Sequence, residues 1–227
     1  MSIIKLARKP KLILFDLDDT LVNSTEIYGL CYQQLGLNLE VLTKAKNQIK
    51  KSLGAGHVSS HQRLLYFKNY LEAEQKFSAE TLLELIDKYE ALLAKEIRSS
   101  WEILNRDSLM RKLKRHFNLA IITNENTRTQ IVKLNALDSQ MQYFDFIVTS
   151  EEVGVEKPDF KIFHECQRRS QLEFSDILMI GDSIENDLIP AKKLGAQVLG
   201  SNEFAKDRIA DSDFIWIKNL NELESIL

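Results

Sequence analysis

Short apolar runs alternate with longer stretches of helical spacing along most of this chain. Leu12, Ile13, Leu14 and Phe15 form one such run behind Lys11, and it ends abruptly on Asp16. Uninterrupted apolar runs of this length are what a parallel sheet covered on both faces requires. The pattern returns at residues 119–122, 144–148, 177–180 and 196–199, with a weaker sixth run at 214–217. Between the runs, residues 108–116, 127–137, 159–169 and 185–194 carry apolar positions at helical spacing. Gly195 follows the last of them, where a helix end favours a residue tolerant of positive φ. This alternation predicts an α/β fold built on a Rossmann-like, doubly wound parallel sheet.

One stretch breaks the rhythm. From residue 23 to roughly residue 105 no strand pattern occurs, and helical patterns at 25–35, 39–53, 61–71 and 79–97 follow one another. About 100 residues thus separate the first two strands, where a crossover needs on the order of a dozen or more. An inserted all-helical cap domain is predicted over residues 22–104, with the core formed by 1–21 and 105–227.

Composition sets limits on this picture. With 44% hydrophobic and 28% charged residues the chain has the make-up of a packed globular protein and not of a disordered one. The formal net charge is -3, and the one local basic excess, at Arg111, Lys112, Lys114, Arg115 and His116, reads as the wet side and end of a helix, so no nucleic-acid partner is expected. No apolar run approaches the roughly 20 residues that cross a bilayer, and residues 1–11 are too charged for a signal peptide, which predicts a cytoplasmic protein with no membrane partner. Cys31 and Cys166 lie far apart and outside any metal-type spacing, so both are expected as reduced, half-buried helix residues.

In an open parallel sheet, ligands bind beyond the carboxyl ends of the strands, which gives priority to polar residues placed just after each apolar run. Asp16 and Asp18 follow the first run, Thr123 and Asn124 the second, and Asp182 and Asp187 the fourth; Lys157 follows the third after a short loop. That collection suits phosphoryl transfer, which needs a nucleophile, neutralisation of the transferring group and protonation of a poor leaving oxygen. Clustered carboxylates repel, and a Mg²⁺ ion, which takes one or two carboxylates, waters and substrate phosphate, resolves the repulsion. Lys157 adds a fixed point charge. An ionised carboxylate in such a site can attack phosphorus, and a second carboxyl two residues on can move the proton.

Four separated motifs in one order resemble the haloacid dehalogenase-like superfamily: Asp16-Leu17-Asp18-Asp19-Thr20, Ile122-Thr123-Asn124, Glu156-Lys157-Pro158-Asp159, and Gly181-Asp182 through Asn186-Asp187. The resemblance implies Asp16 as nucleophile and Mg²⁺ ligand. It implies Asp18 as general acid/base that also binds the metal through its backbone carbonyl, with Asp182 completing the protein ligands. It further implies that Asp187 supports the metal water and Lys157, and that Thr123 with the Asn124 backbone N–H holds the phosphate. The insertion stands where that superfamily carries a helical cap, a lid that excludes water. The chain departs from the pattern at Glu125, where Gly is frequent, and in lacking a Pro-Gly before the helix leading into the second motif. Asp18 also speaks against the dehalogenases proper, where an aromatic residue would be expected there.

Each motif alone has an ordinary explanation. A D-x-D after a strand often caps a helix, acids in a first turn offset the macrodipole, and Lys-Pro is at home in a loop entering a helix. Their joint occurrence at successive strand ends favours the enzyme: a phosphatase acting on a small phosphorylated metabolite such as a nucleotide, sugar phosphate or phospho-acid. A phosphomutase of the β-phosphoglucomutase kind is the alternative, and a non-catalytic binding relative a third. His57, Arg63, Arg98 and Arg128 read as solvated positions and Trp101 as packing. Nothing obliges more than a monomer or a weak homodimer.

Overall fold

The computed structural model describes residues 6–54, 56–204 and 213–227. Residues 1–5 of the charged N-terminal stretch, and Ala55 between Gly54 and Gly56, lie outside them. Among the described residues, β1 (Leu12–Phe15), β2 (Asn118–Thr123), β3 (Phe146–Thr149), β4 (Ile177–Gly181), β5 (Gln197–Ser201) and β6 (Trp216–Ile217) form one parallel six-stranded sheet in the order β3-β2-β1-β4-β5-β6. β1 lies between β2 and β4, with Phe15 opposite Ile121 on one side and Ile180 on the other. The chain order reverses at β1, so the crevice at its carboxyl end is the switch point where such sheets take ligands.

Successive residues of each strand face opposite sides, which explains the unbroken apolar runs. Ile13, Phe15, Leu119, Ile121, Leu178 and Ile180 belong to one apolar cluster, with α5 (Arg106–Lys114), α6 (Thr127–Asp138) and α10 (Leu223–Ile226) packed on that side. Leu12, Leu14, Ala120, Ile122, Ile177 and Met179 belong to the other, covered by α8 (Phe160–Ser170) and α9 (Ile189–Lys193). The short α7 (Ser150–Val153) follows β3 directly and is started by a capping box between Thr149 and Glu152.

Among the described residues, four helices precede α5 in the connection from β1 to β2: α1 (Ser24–Gln34), α2 (Leu39–Leu53), α3 (Arg63–Ala73) and α4 (Ala79–Ile103). Asn38 caps α2 through its side-chain oxygen, and Ser78 caps α4 by accepting from the Thr81 N–H at 3.0 Å. α4 runs past residue 97 because Leu93, Ile97 and Trp101 continue one buried stripe, and it stops at Asn105, whose φ of 53° is left-handed. The buried residues of this helical layer, among them Tyr66, Phe67, Tyr89 and Trp101, are continuous with the first sheet cluster.

Other sequence expectations change, among them the sixth run, which pairs only at Trp216–Ile217. β3 begins at Phe146 and not at residue 144, because the Asp138 carboxylate accepts from the N–H groups of Gln142, Tyr143 and Phe144 and holds them in a turn. The helix expected over 185–194 is a π-helical turn, Ile184–Leu188, followed by α9; Pro190 has no N–H to return to the preceding turn, so the α-helix starts afresh there. Cys31 and Cys166 are free and fully buried rather than half-buried, since each stands on the inner face of its helix. No helix among the described residues is long and apolar enough to cross a membrane.

Candidate active site

Asp16 leaves β1 as the first residue beyond its apolar run, still anchored to the sheet by a 2.9 Å bond from its N–H to the Ile180 carbonyl. Only 5% of its surface is exposed. One carboxylate oxygen accepts from Lys157 Nζ at 2.7 Å and the other from the Thr20 hydroxyl at 3.2 Å. Immediately afterwards the chain reverses through Asp19, at a φ of 58°, and the Asp19 carboxylate takes the N–H and hydroxyl of Thr25 in the first turn of α1.

Lys157 reaches the same point from the loop after α7. Its ammonium also donates to Asp187 Oδ1 at 2.6 Å and to the Ile122 carbonyl at 3.3 Å. Burial alone would lower the Lys157 pKa, but the charges of Asp16 and Asp187 raise it, so the ammonium stays charged. The loop is registered against the second motif by a reciprocal pair: the Lys157 N–H donates to Asn124 Oδ1 at 2.6 Å, and Asn124 Nδ2 donates to the Lys157 carbonyl at 2.8 Å.

Behind β4, the π-helical turn carries Asp187 back beneath Gly181. The Ser183 N–H donates to Asp187 Oδ2 at 3.1 Å, and a Cβ on Gly181 would stand 2.4 Å from that same oxygen. Glycine is therefore required there by close approach. Buried carboxylate oxygens of Asp16, Asp182 and Asp187 all lie within 4.8 Å of one another. Desolvation raises the Asp16 pKa most, Lys157 opposes it, and Asp187, Asp182 and Asp18 raise it further. Such a packed group of oxygens with a surplus of negative charge has the hardness and charge that fit a divalent cation such as Mg²⁺.

The Asp18 side chain does not join that group. It turns toward α6, where its carboxylate meets Lys133 Nζ, accepts from Gln130 Nε2 at 2.7 Å and from the Thr123 hydroxyl at 3.4 Å, and takes the Tyr28 hydroxyl at 3.2 Å. Burial pushes the Asp18 carboxyl up, but the charge and hydrogen bond of Lys133 outweigh it and hold the group well below the usual carboxylate range. Thr123 is tied into the same network by Gln130 at 2.9 Å.

Lys133, Gln130 and Tyr28 were not among the residues singled out from sequence. Gln130 and Lys133 lie three apart on the inward stripe of α6 that also carries Leu134 and Leu137, which is the one signal that could have marked them. Arg63 is corrected from a solvated position: it is buried, 3.0 Å from Glu125 Oε2, and stacks on the Tyr28 ring with its guanidinium carbon 4.3 Å from the ring centre. His57 and Arg128 are exposed and Arg98 is half-buried, the two arginines in ion pairs with Glu102, Asp107 and Glu90, and Trp101 is buried packing whose indole donates to Asp107.

Residues 13–201 match the family model described as haloacid dehalogenase-like hydrolase. The chain belongs to that family. This hydrolase is 29% identical over 205 residues to the ribulose-1,5-bisphosphate 5-phosphatase of Halopiger xanaduensis, covering 82% of each chain. It is 28% identical over 193 residues to the glyceraldehyde 3-phosphate phosphatase of Methanocaldococcus jannaschii, covering 81% of each. Its fold matches that of the magnesium-bound HAD-hydrolase YfnB of Bacillus subtilis with a TM-score of 0.66 at 23% identity, over 95% of this chain and 97% of that one.

Proposed function

We propose that this hydrolase is a Mg²⁺-dependent phosphoric monoester hydrolase that acts on a small phosphorylated metabolite through an aspartyl-phosphate on Asp16. The observation that carries the reading is the buried Asp16 carboxylate at the switch point, 2.7 Å from an ammonium that Asp187 holds from the other side. The family relationship and the phosphatase activities of the two relatives support it.

Asp16, Asp182 and the Asp18 backbone carbonyl would hold the metal, with Asp187 behind them; a bound Mg²⁺ supplies charge neutralisation at the phosphoryl oxygens. Asp16 attacks phosphorus in line, and the bond from phosphorus to the leaving oxygen breaks. Lys157, Thr123 and the Asn124 N–H hold the phosphoryl oxygens. Asp18, ionised beside Lys133, takes up the proton that a monoprotonated ester brings and passes it to the leaving oxygen. In the second half it removes a proton from water, whose oxygen attacks phosphorus and frees Asp16, and the proton then leaves Asp18 with the departing phosphate, which restores the ionised carboxylate. Residues 22–104 act as the lid and residues 1–21 with 105–227 as the catalytic core.

Phosphate release from p-nitrophenyl phosphate tests the reading. Steady release is expected with Mg²⁺, loss on chelation and recovery on adding the metal back. Asp16→Asn should lower turnover by ~1000-fold or more with unchanged circular dichroism. Wild-type rates in that variant would refute the covalent route, and a single burst without steady release would point to a mutase.

A further inference from the structure

From Asp18 toward the helical insertion, side chains bond in sequence. Tyr28 Oη lies 3.2 Å from Asp18 Oδ1 and 3.4 Å from Glu125 Oε2, and Glu125 Oε2 lies 3.0 Å from Arg63 Nη1. Glu125 follows Asn124 directly in the second motif, whereas Arg63 opens α3 in the helical insertion, so the pair joins the two parts of the molecule. Both side chains are buried, at 7% and 5% exposure. Arg63 Nε is a buried donor with no partner among the described residues. A buried guanidinium with an unused donor is costly unless something comes to meet it.

The cations around this pair are held by rings or carboxylates, with Lys46 Nζ over the Tyr32 and Tyr66 rings at 5.5 and 5.8 Å. Lys157 faces Asp16 and Asp187, Lys133 faces Asp18, Arg63 faces Glu125, and His61 Nε2 lies 3.4 Å from Glu156. A second anionic group on the substrate would find the lysines and Arg63 engaged and would meet the carboxylates of Glu125 and Asp18. A neutral hydroxyl fits better: Glu125 Oε1 is taken by the Asn126 N–H and Nδ2, but a hydroxyl can accept from the open Arg63 Nε and displace the long 3.4 Å Tyr28 bond at Glu125 Oε2, leaving both charges paired.

We propose that Arg63 and Glu125 act as one donor–acceptor pair that reads the leaving group, selecting phosphomonoesters of neutral, hydroxyl-bearing alcohols over those that carry a second anionic group. The inference rests on the phosphatase reading and adds the substrate class. Glu125 is the specificity-determining member, because without its charge Arg63 becomes an open anion site.

The test compares two three-carbon esters with the phosphate on a terminal carbon: glycerol phosphate, ending in a hydroxymethyl group, and phosphoglycerate, ending in a carboxylate. Each is measured with the Mg²⁺-loaded protein as substrate or as competitive inhibitor of p-nitrophenyl phosphate hydrolysis. The wild type should favour glycerol phosphate in kcat/KM, or in inhibition constant, by about 10-fold or more, like charges being strongly disfavoured at close range. Glu125→Gln should shift that ratio toward phosphoglycerate by about 10-fold, mainly through KM. Arg63→Gln should weaken glycerol phosphate without rescuing phosphoglycerate. If Glu125→Gln does not fold by circular dichroism, the wild-type ratio and the Arg63→Gln result decide. A wild-type ratio near one, or one favouring phosphoglycerate, overturns the proposal while p-nitrophenyl phosphate is still hydrolysed; loss of that hydrolysis as well would instead remove the phosphatase reading.

Discussion

A methyl group at position 181 has nowhere to go. It would collide with Asp187, whose carboxylate oxygen, Cβ and Cγ would all lie within 2.5 Å, and the collision would be passed to Lys157 through their 2.6 Å bond. Gly181→Ala is therefore expected to reduce kcat by about 10- to 100-fold with a smaller change in KM, because a displaced charge costs catalysis more than binding. Steady-state kinetics with p-nitrophenyl phosphate measures this, and an unchanged kcat would show that Asp187 does not steady the lysine. Lys133 bears on Asp18 in a similar way. Lys133→Met should slow alkyl esters, which need a proton at the leaving oxygen, more than aryl esters, which leave without much help; equal losses would deny Asp18 its proton-moving role. At this scale Asp16, Thr123, Lys157 and Asp182 were legible because each follows an apolar run that could only be a buried strand. Lys133, Gln130 and Tyr28 were not, since polar residues within helical patterns look the same whether they face water or a carboxylate. Arg63 was misread for a related reason: its partner Glu125 is 62 positions away, in another element.

Among the elements, helices with an apolar face and a side-chain cap were read to within a few residues, as α2 and α8 show. Errors fell where a side chain replaced the regular backbone pairing, at Asp138 before β3, and where Pro190 interrupted a continuous pattern. The outer face of α8 gives a pH test. Hydrogen bonds from Arg168 and then Arg169 hold the Glu165 carboxyl down to about 2. Since this folded-state pKa lies below the unfolded value near ~4.3, the stabilisation is present above that pH and disappears as pH falls toward about 2. The partner Arg168 is 71% exposed and water screens these pairs at the helix surface, so Glu165→Gln should cost less than ~1 kcal/mol at neutral pH, and denaturant titrations should show the difference vanishing in acid. The inner faces offer a chemical counterpart. Burial pushes the Cys31 thiol up to about 11 and raises Cys166 as well. Neither should be alkylated at mild pH until denaturant is added; rapid labelling of the native protein would contradict the packing of α1 and α8.

For the molecule as a whole, the division into sheet and helical insertion hides a shared interior. Tyr89, Leu93, Ile97 and Trp101 of α4 belong to the same apolar cluster as Phe15 and Ile121 of the sheet. Two bodies with separate cores could unfold separately; these two are expected to unfold in one step. Thermal melts followed by far-ultraviolet circular dichroism and by tryptophan fluorescence, which reports Trp101 in α4 and Trp216 in β6, should give the same midpoint. Midpoints that differ would show that the helical layer holds together, or falls apart, on its own. The parallel sheet and the presence of a helical insertion followed from sequence, because strand and helix periods differ and the gap after β1 was too long for a crossover; the order of the strands did not. The continuity of the core did not follow, since apolar periodicity says which side of a helix is buried but not against what.

The two hydrogen bonds between the Asn124 side chain and the Lys157 backbone join the loops after β2 and β3 into a single strut, and both loops grow out of the sheet rather than the helical layer. If the helices swing aside to admit a ligand, the strut stays behind, and with it the height of the ammonium above Asp16. The positive charge would thus greet each incoming phosphate already in place, and the time spent opening and closing would be spent on the alcohol end alone.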